Sequence, residues 1–145
     1  MDYDIKIFAH GSAEYAQALA LRTEVLRKPL GLVFTQAELE QDKHDIHMGL
    51  FKHDKILACL SLTHTKDNKL KMRQVAVDAT RQHLGLGTLL SNHAEKYARE
   101  KKIKAIYCHA RKSAAPFYEK LGYKITGPEF TEVSIPHYLM EKLLD

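Results

Sequence analysis

The sequence predicts an α/β fold: a mixed, mostly antiparallel central sheet flanked by helices. Two short polar turns, Lys52-His53-Asp54-Lys55 and Lys66-Asp67-Asn68-Lys69, separate three apolar runs, the pattern of strands joined by hairpins. Further on, the run from Leu70 to Val77 passes through a glycine turn into an amphipathic helix and then into another strand, Ile103 to His109. A helical crossover joins parallel strands, whereas hairpins join antiparallel ones, so the sheet is mixed. With 145 residues and 45% hydrophobic content, the chain fits a single domain, 1–145, that buries a real core.

The elements follow in order. Ile5 to Ala9 reads as the first strand; Gly11-Ser12 ends it, and Ser12 is placed to cap the next helix. That helix runs through Tyr15, Leu19 and Ala20 to Leu26, and Pro29 stops it. Leu30 to Phe34 is apolar yet irregular, which suits either a loop lining a site or a cover for the core. Residues 36–42 are acidic and helix-prone. Met48 to Phe51, Ile56 to Leu62 and Leu70 to Val77 are the meander strands. In the helix after the glycines, Leu86, Leu89, Leu90, His93, Ala94, Tyr97 and Ala98 recur at helical spacing and face inward. Ser91, Asn92, Glu95, Lys96, Arg99 and Glu100 face away. After the strand ending at His109, Ser113 is placed to cap a short helix with Pro116 in its first turn, and Gly122 closes it. The tail reads as two strands, with Pro136 marking an edge or a bulge.

Composition excludes several classes. No apolar stretch approaches a membrane span, and the acidic Met1-Asp2-Tyr3-Asp4 start lacks the apolar core of a signal peptide. Cys59 and Cys108 sit in separate apolar strands without metal or disulfide spacing, so both are expected to be reduced, in a cytoplasmic protein. The net charge of +4 suits an anionic small molecule. No basic and aromatic pattern marks a nucleic-acid surface. Nine histidines are many, yet none pairs at a recognised metal spacing, and no metal is expected.

The most informative stretch is Val75 to Leu90, strand to turn to helix with Gln82-x-x-Gly85-x-Gly87 at the junction. Glycines there bare backbone N–H groups where a helix begins, and such N–H groups have no intrahelical partner. The helix dipole adds partial positive charge, so the place suits phosphate. A Walker loop would need Gly-Lys-Ser/Thr, but Thr88 and Leu89 follow Gly87; a dinucleotide fingerprint would need a third glycine at the position of Leu90.

This loop resembles the acetyl-CoA pyrophosphate loop of the GNAT N-acetyltransferase superfamily. Residues 114–123, with Ala114, Phe117, Tyr118, Lys120, Gly122 and Tyr123, resemble a second segment of the same superfamily, at the matching distance. Ile135-Pro136-His137 further resembles its ElaA-like branch. The resemblance implies a sheet split to hold acetyl-CoA as acetyl donor. It implies pantetheine pairing with the backbone of Val75, Ala76 and Val77. It places the pyrophosphate on Gln82, His83, Leu84, Gly85, Leu86, Gly87 and Thr88, with Phe117 against the cofactor. Arg111 stands where many members carry Asn, and so would reach cofactor phosphate or an acidic substrate. Tyr118 matches the tyrosine facing the coenzyme sulfur, a general acid whose phenol, with a reference pKa of about 10, is protonated at neutral pH.

The implied activity is direct acetyl transfer to a primary amine of a small molecule or peptide. A non-catalytic acyl-CoA sensor is the alternative, and a homodimer is compatible with either. The general base is open among Glu132, His137, His109 and Glu38, or a water chain. Loop 29–35, segment 36–42 and hairpin 129–137 are expected to flank the acceptor.

Overall fold

Ser12 and Thr35 decide where the first two helices begin. In the computed structural model, which describes residues 3–145, β1 (Asp4–Phe8) leads to α1 (Ala13–Arg22), and the Ser12 hydroxyl accepts from the Tyr15 amide. Met1 and Asp2, part of the acidic start, lie outside the described residues. The helical path then widens into a π turn, Thr23–Arg27, and tightens into a 3₁₀ turn, Lys28–Leu30, that carries Pro29 and ends on left-handed Gly31. Pro29 therefore lies within the last turn of this path. Thr35 and Glu38 form a reciprocal capping box for α2 (Gln36–Gln41).

The strands are β2 (Ile46–Lys52), β3 (Lys55–His64), β4 (Lys69–Val77), β5 (Ala105–Arg111), β6 (Lys124–Glu132) and β7 (Ile135–Leu143); the remaining helices are α3 (Leu86–Glu100) and α4 (Ala115–Lys120). The hydrogen-bonded order is β1-β2-β3-β4-β5-β7-β6. β4 and β5 run parallel, while β1–β2, β2–β3, β5–β7 and β6–β7 are antiparallel. This is the mixed sheet the turns predict.

The chain divides into two compact units, the first comprising Met1–Thr63 and Gln74–Ala94, the second His64–Arg73 and Glu95–Asp145. One boundary falls within β4 at Gln74, whose φ of 56° is left-handed. In the first unit, Phe51, Ile56, Cys59 and Ala76 bury against Ala18, with Phe8, Leu21, Val25 and Leu26 packed around them. In the second, Leu70, Met72, Ile106, Cys108, Ala110 and Met140 fill one sheet face. Strand alternation puts Lys69, Lys71, Tyr107, His109, Arg111, His137, Leu139 and Glu141 on the other. Among the described residues no helix is long and apolar enough to cross a membrane.

Three local expectations are corrected. Along α3, Ser91 and Glu95 are buried and Leu89 is exposed, so the inward stripe is rotated from the one apolarity alone suggests. Glu95 accepts an ion pair from Lys142 Nζ at 2.9 Å, which lets an acid occupy an inward position. Ser113 is not the cap of α4: a 3₁₀ turn, Lys112–Ala114, intervenes, and Ala114 precedes the helix with no side-chain cap. Pro136 lies near the start of β7, an interior strand. The irregularity falls instead on β6 between Thr126 and Phe130, around left-handed Gly127 and Pro128.

Candidate active site

The first unit carries the glycine loop. Asp78 ends β4 and caps a 3₁₀ turn, Ala79–Arg81, accepting from the Thr80 amide at 2.9 Å and its hydroxyl at 2.7 Å. Gln82 Nε2 reaches back to the Val77 carbonyl at 3.3 Å. His83 and Gly85 are both left-handed, with φ of 68° and 78°. An ideal Cβ on Gly85 meets no atom within 4 Å, so the space above this residue is open. The first bond of α3 runs from the Leu89 amide to the Gly85 carbonyl at 3.0 Å. The amides of Leu86, Gly87 and Thr88 precede it, and helix geometry gives them no carbonyl one turn back. The arrangement presents donors and dipole to an anion.

The same unit builds the segment before β2 around ions. Asp42, fully buried, accepts from Arg22 at 2.9 Å and from the Tyr15 hydroxyl at 2.5 Å. Burial, then the bond to Asp42, pushes the Tyr15 phenol up to about 12. The guanidinium groups of Arg22 and Arg27 both lie against Phe34, 4.6 and 4.4 Å from its ring centre. Arg27 also pairs with Glu38 at 2.7 Å, while Glu38 accepts from the Thr35 amide. Loop 29–35 is thus pinned at Phe34, leaving Leu32 and Val33 exposed.

In the second unit, α4 presents Tyr118. Its phenol is buried, with Phe117 edge-on at 5.0 Å and Tyr123 edge-on at 5.6 Å. Burial raises its pKa far above the ordinary tyrosine value, and the neighbouring Cys108 adds to the rise, so the hydroxyl keeps its proton. Cys59 and Cys108 are free and buried, and burial pushes each thiol up to about 12, so neither supplies a thiolate at neutral pH.

The open face of this unit gathers three of the four candidate bases. His109 Nδ1 lies 3.0 Å from Glu132 Oε1, and His137 Nε2 lies 3.8 Å from Glu132 Oε2. His137 Nδ1 donates to the Ile135 carbonyl at 2.8 Å, which fixes its ring and turns Nε2 toward Glu132. Burial alone would raise the Glu132 carboxyl. The bond from His109 and the nearby charges of His109, His137 and Lys71 outweigh that, and its pKa falls below the usual range. Glu38, the fourth candidate, is committed to Arg27 and the α2 cap. Arg111 stands opposite His137 in the β5–β7 register, on the face of this cluster rather than on the buried one.

A family model described as an acetyltransferase (GNAT) domain matches residues 22–144. The chain belongs to the GNAT acetyltransferase family. The uncharacterized protein YyaT of Bacillus subtilis (strain 168) is 36% identical over 72 residues, half of this chain and 49% of YyaT. The chain thus spans about half the length of that curated relative. Escherichia coli ElaA shares the fold with a TM-score of 0.81 at 19% identity, covering 97% of this chain and 99% of ElaA. An aminoglycoside 6'-N-acetyltransferase complexed with coenzyme A has a TM-score of 0.78 at 17% identity, covering 97% of this chain and 96% of its own.

The family was readable from the residues of the glycine loop and of segment 114–123. The Phe34 clamp was not, because Arg22, Arg27 and Phe34 show no regular spacing. Nor was the Glu95–Lys142 pair, whose members are 47 residues apart.

Proposed function

We propose that residues 1–145 act as one acetyl-CoA-dependent N-acetyltransferase domain, in the cytoplasm, on a primary amine of a small molecule or peptide. The observation that carries this is the start of α3 behind left-handed Gly85, where Leu89 makes the first bond to the Gly85 carbonyl, in a chain of the GNAT family. Open donors and open space fit a pyrophosphate there. The coenzyme A held by a structural neighbour of the same fold supports the choice of anion.

In this reading the amides of Leu86, Gly87 and Thr88 hold the pyrophosphate, with Gln82, His83, Leu84 and Gly85 shaping the approach. The backbone of Val75, Ala76 and Val77 takes the pantetheine arm, and Phe117 and Arg111 are the further candidates for cofactor contact. Acetyl-CoA, when bound, supplies a thioester carbon that an amine can attack. Tyr118 then donates its phenolic proton to the departing sulfur. On the acceptor side, His109 Nδ1–H donates to Glu132, which leaves Nε2 as the site that takes the amine proton. The Glu132 carboxylate stabilises the resulting imidazolium, and His137 Nε2 lies 3.8 Å from its other oxygen. The inert thiols of Cys59 and Cys108 favour direct transfer over an acyl-cysteine route.

The test is thiol release from acetyl-CoA in the presence of a panel of primary amines. Amine-dependent release that saturates in both substrates is expected. Saturable acetyl-CoA binding with no release for any amine would replace the enzyme by an acyl-CoA sensor.

A further inference from the structure

The segment carrying Tyr118 ends in a tightly specified way. The amides of Leu121 and Tyr123 both donate to the Tyr118 carbonyl at 3.0 Å, and the Gly122 amide donates to the Glu119 carbonyl at 3.0 Å. With Gly122 at φ 96°, this is a Schellman cap, and Tyr118 is the residue around whose carbonyl it closes. Such caps carry a side-chain contact between the residue after the glycine and the one that accepts. Here it is the edge-on contact of Tyr123 with Tyr118, ring centres 5.6 Å apart. The cap therefore sets the backbone and one wall of the phenol at once.

One group holds this cap from outside. Lys142 Nζ donates to the Leu121 carbonyl at 2.7 Å and to Glu95 Oε1 at 2.9 Å. A Cβ on Gly122 would stand 3.2 Å from Lys142 Cε, so the lysine stem lies directly over the glycine. Glu95 is 4% exposed and its other carboxylate oxygen has no hydrogen-bond partner among the described residues. Arg99 Nη1 is 3.4 Å from Oε1. Burying an acid on α3 is costly unless it is paired. Here the pairing fixes an ammonium on β7 at the C-terminal end of α4.

We infer that Lys142, held by buried Glu95, is a positioning residue for Tyr118. The ion pair clamps the cap that orients the phenol, and neither residue touches the reacting atoms. The inference rests on Tyr118 being the general acid, and its test separates the two.

The experiment measures turnover and acetyl-CoA dissociation for Lys142→Met in the wild-type and Tyr118→Phe backgrounds, using the panel amine with the highest rate. Thermal midpoints are recorded for each protein. In the wild-type background turnover should fall roughly 10–100-fold, the range that a small misplacement of a reacting group produces. Acetyl-CoA affinity should stay within about twofold, since the pyrophosphate loop is untouched. In Tyr118→Phe, the same substitution should change turnover less than about twofold, because there is no acid left to misplace. Lys142→Arg should recover most of the loss by spanning the same two acceptors. If Lys142→Met does not fold, Glu95→Gln, which keeps an acceptor but removes the charge, is read the same way. Equal losses in both backgrounds would overturn the inference while leaving the acid in place. A silent Tyr118→Phe would remove the acid, and the inference with it.

Discussion

Gly85 offers a separation of fold from function at one atom. Its φ of 78° is left-handed, and nothing lies within 4 Å of where a Cβ would stand. Gly85→Ala is therefore strained but not crowded. A left-handed L-residue costs about 1–2 kcal/mol. For a chain of this size that is a thermal-midpoint drop of roughly 3–8 °C. Asn tolerates the left-handed region better than Ala, so Gly85→Asn should lose less stability. The order should invert for acetyl-CoA. The methyl of Ala barely enters the approach to the start of α3, whereas the amide of Asn extends into it and offers its own oxygen to the same N–H groups. Loss of one charge-assisted hydrogen bond is worth about 1.5–3 kcal/mol. That corresponds to a roughly 10- to 150-fold rise in dissociation constant. Differential scanning fluorimetry gives the first order and calorimetric titration of acetyl-CoA the second. If affinity follows stability, with Ala the weaker binder, the loop acts through its own rigidity and not by presenting open N–H groups.

Three further outcomes follow from the second unit and from the ion cluster in the first. Tyr118→Phe should lower turnover by about 10²–10⁴ with acetyl-CoA affinity nearly unchanged, as expected for a lost general acid; stopped-flow thiol release against calorimetry decides this, and full activity would reduce the residue to packing. Activity should rise with pH as the acceptor amine, with a reference pKa near about 10.4, loses its proton. Glu132→Gln should lower the rate and shift or flatten that rise, and an unchanged pH–rate profile would remove Glu132 from the proton path. Its depressed carboxyl pKa also contributes stability that is present above the unfolded value and lost as pH falls, so Glu132→Gln should lessen the acid-induced loss of stability. Asp42→Asn leaves the buried Arg22 guanidinium without its carboxylate and should cost about 3–5 kcal/mol in urea denaturation; a cost under about 1 kcal/mol would mean that the hydrogen bonds alone hold the site.

Legibility in the sequence followed the range of the interaction. Caps at Ser12 and Gly122 and the two hairpin turns use residues a few positions apart, so spacing suffices to find them. Ser113 failed as a cap because a 3₁₀ turn places Ala114 at the helix start, a backbone choice that side-chain preference does not reveal. Pro136 misled for a related reason. A missing N–H says only that one ladder bond is absent, and the actual bulge was set by left-handed Gly127 on the neighbouring strand. The candidate bases show the same limit. His109, Glu132 and His137 could each be named from residue type, but only the register of β5, β7 and β6 brings two imidazoles to one carboxylate.

Glu95 carries the argument one step further. Periodicity assigns each helical position to a face by its own polarity, and so puts an acid outside. That inference holds only when the partner is solvent. Here the partner is Lys142, supplied by the last strand, and the pair reverses the sign of the preference: Glu95 is buried because a cation meets it there. The same lysine closes the Leu121 carbonyl, so the position that breaks the hydrophobic stripe of α3 is also the one that ties α3 to the segment bearing Tyr118. An apolar residue at 95 would satisfy the stripe and leave Lys142 without its anchor. On this view Glu95→Leu, which removes one partner and leaves the Lys142 ammonium unpaired, should cost stability and also lose turnover like Lys142→Met. A stable Glu95→Leu protein with undiminished turnover would show that the cap at Gly122 orients Tyr118 without help from the ion pair.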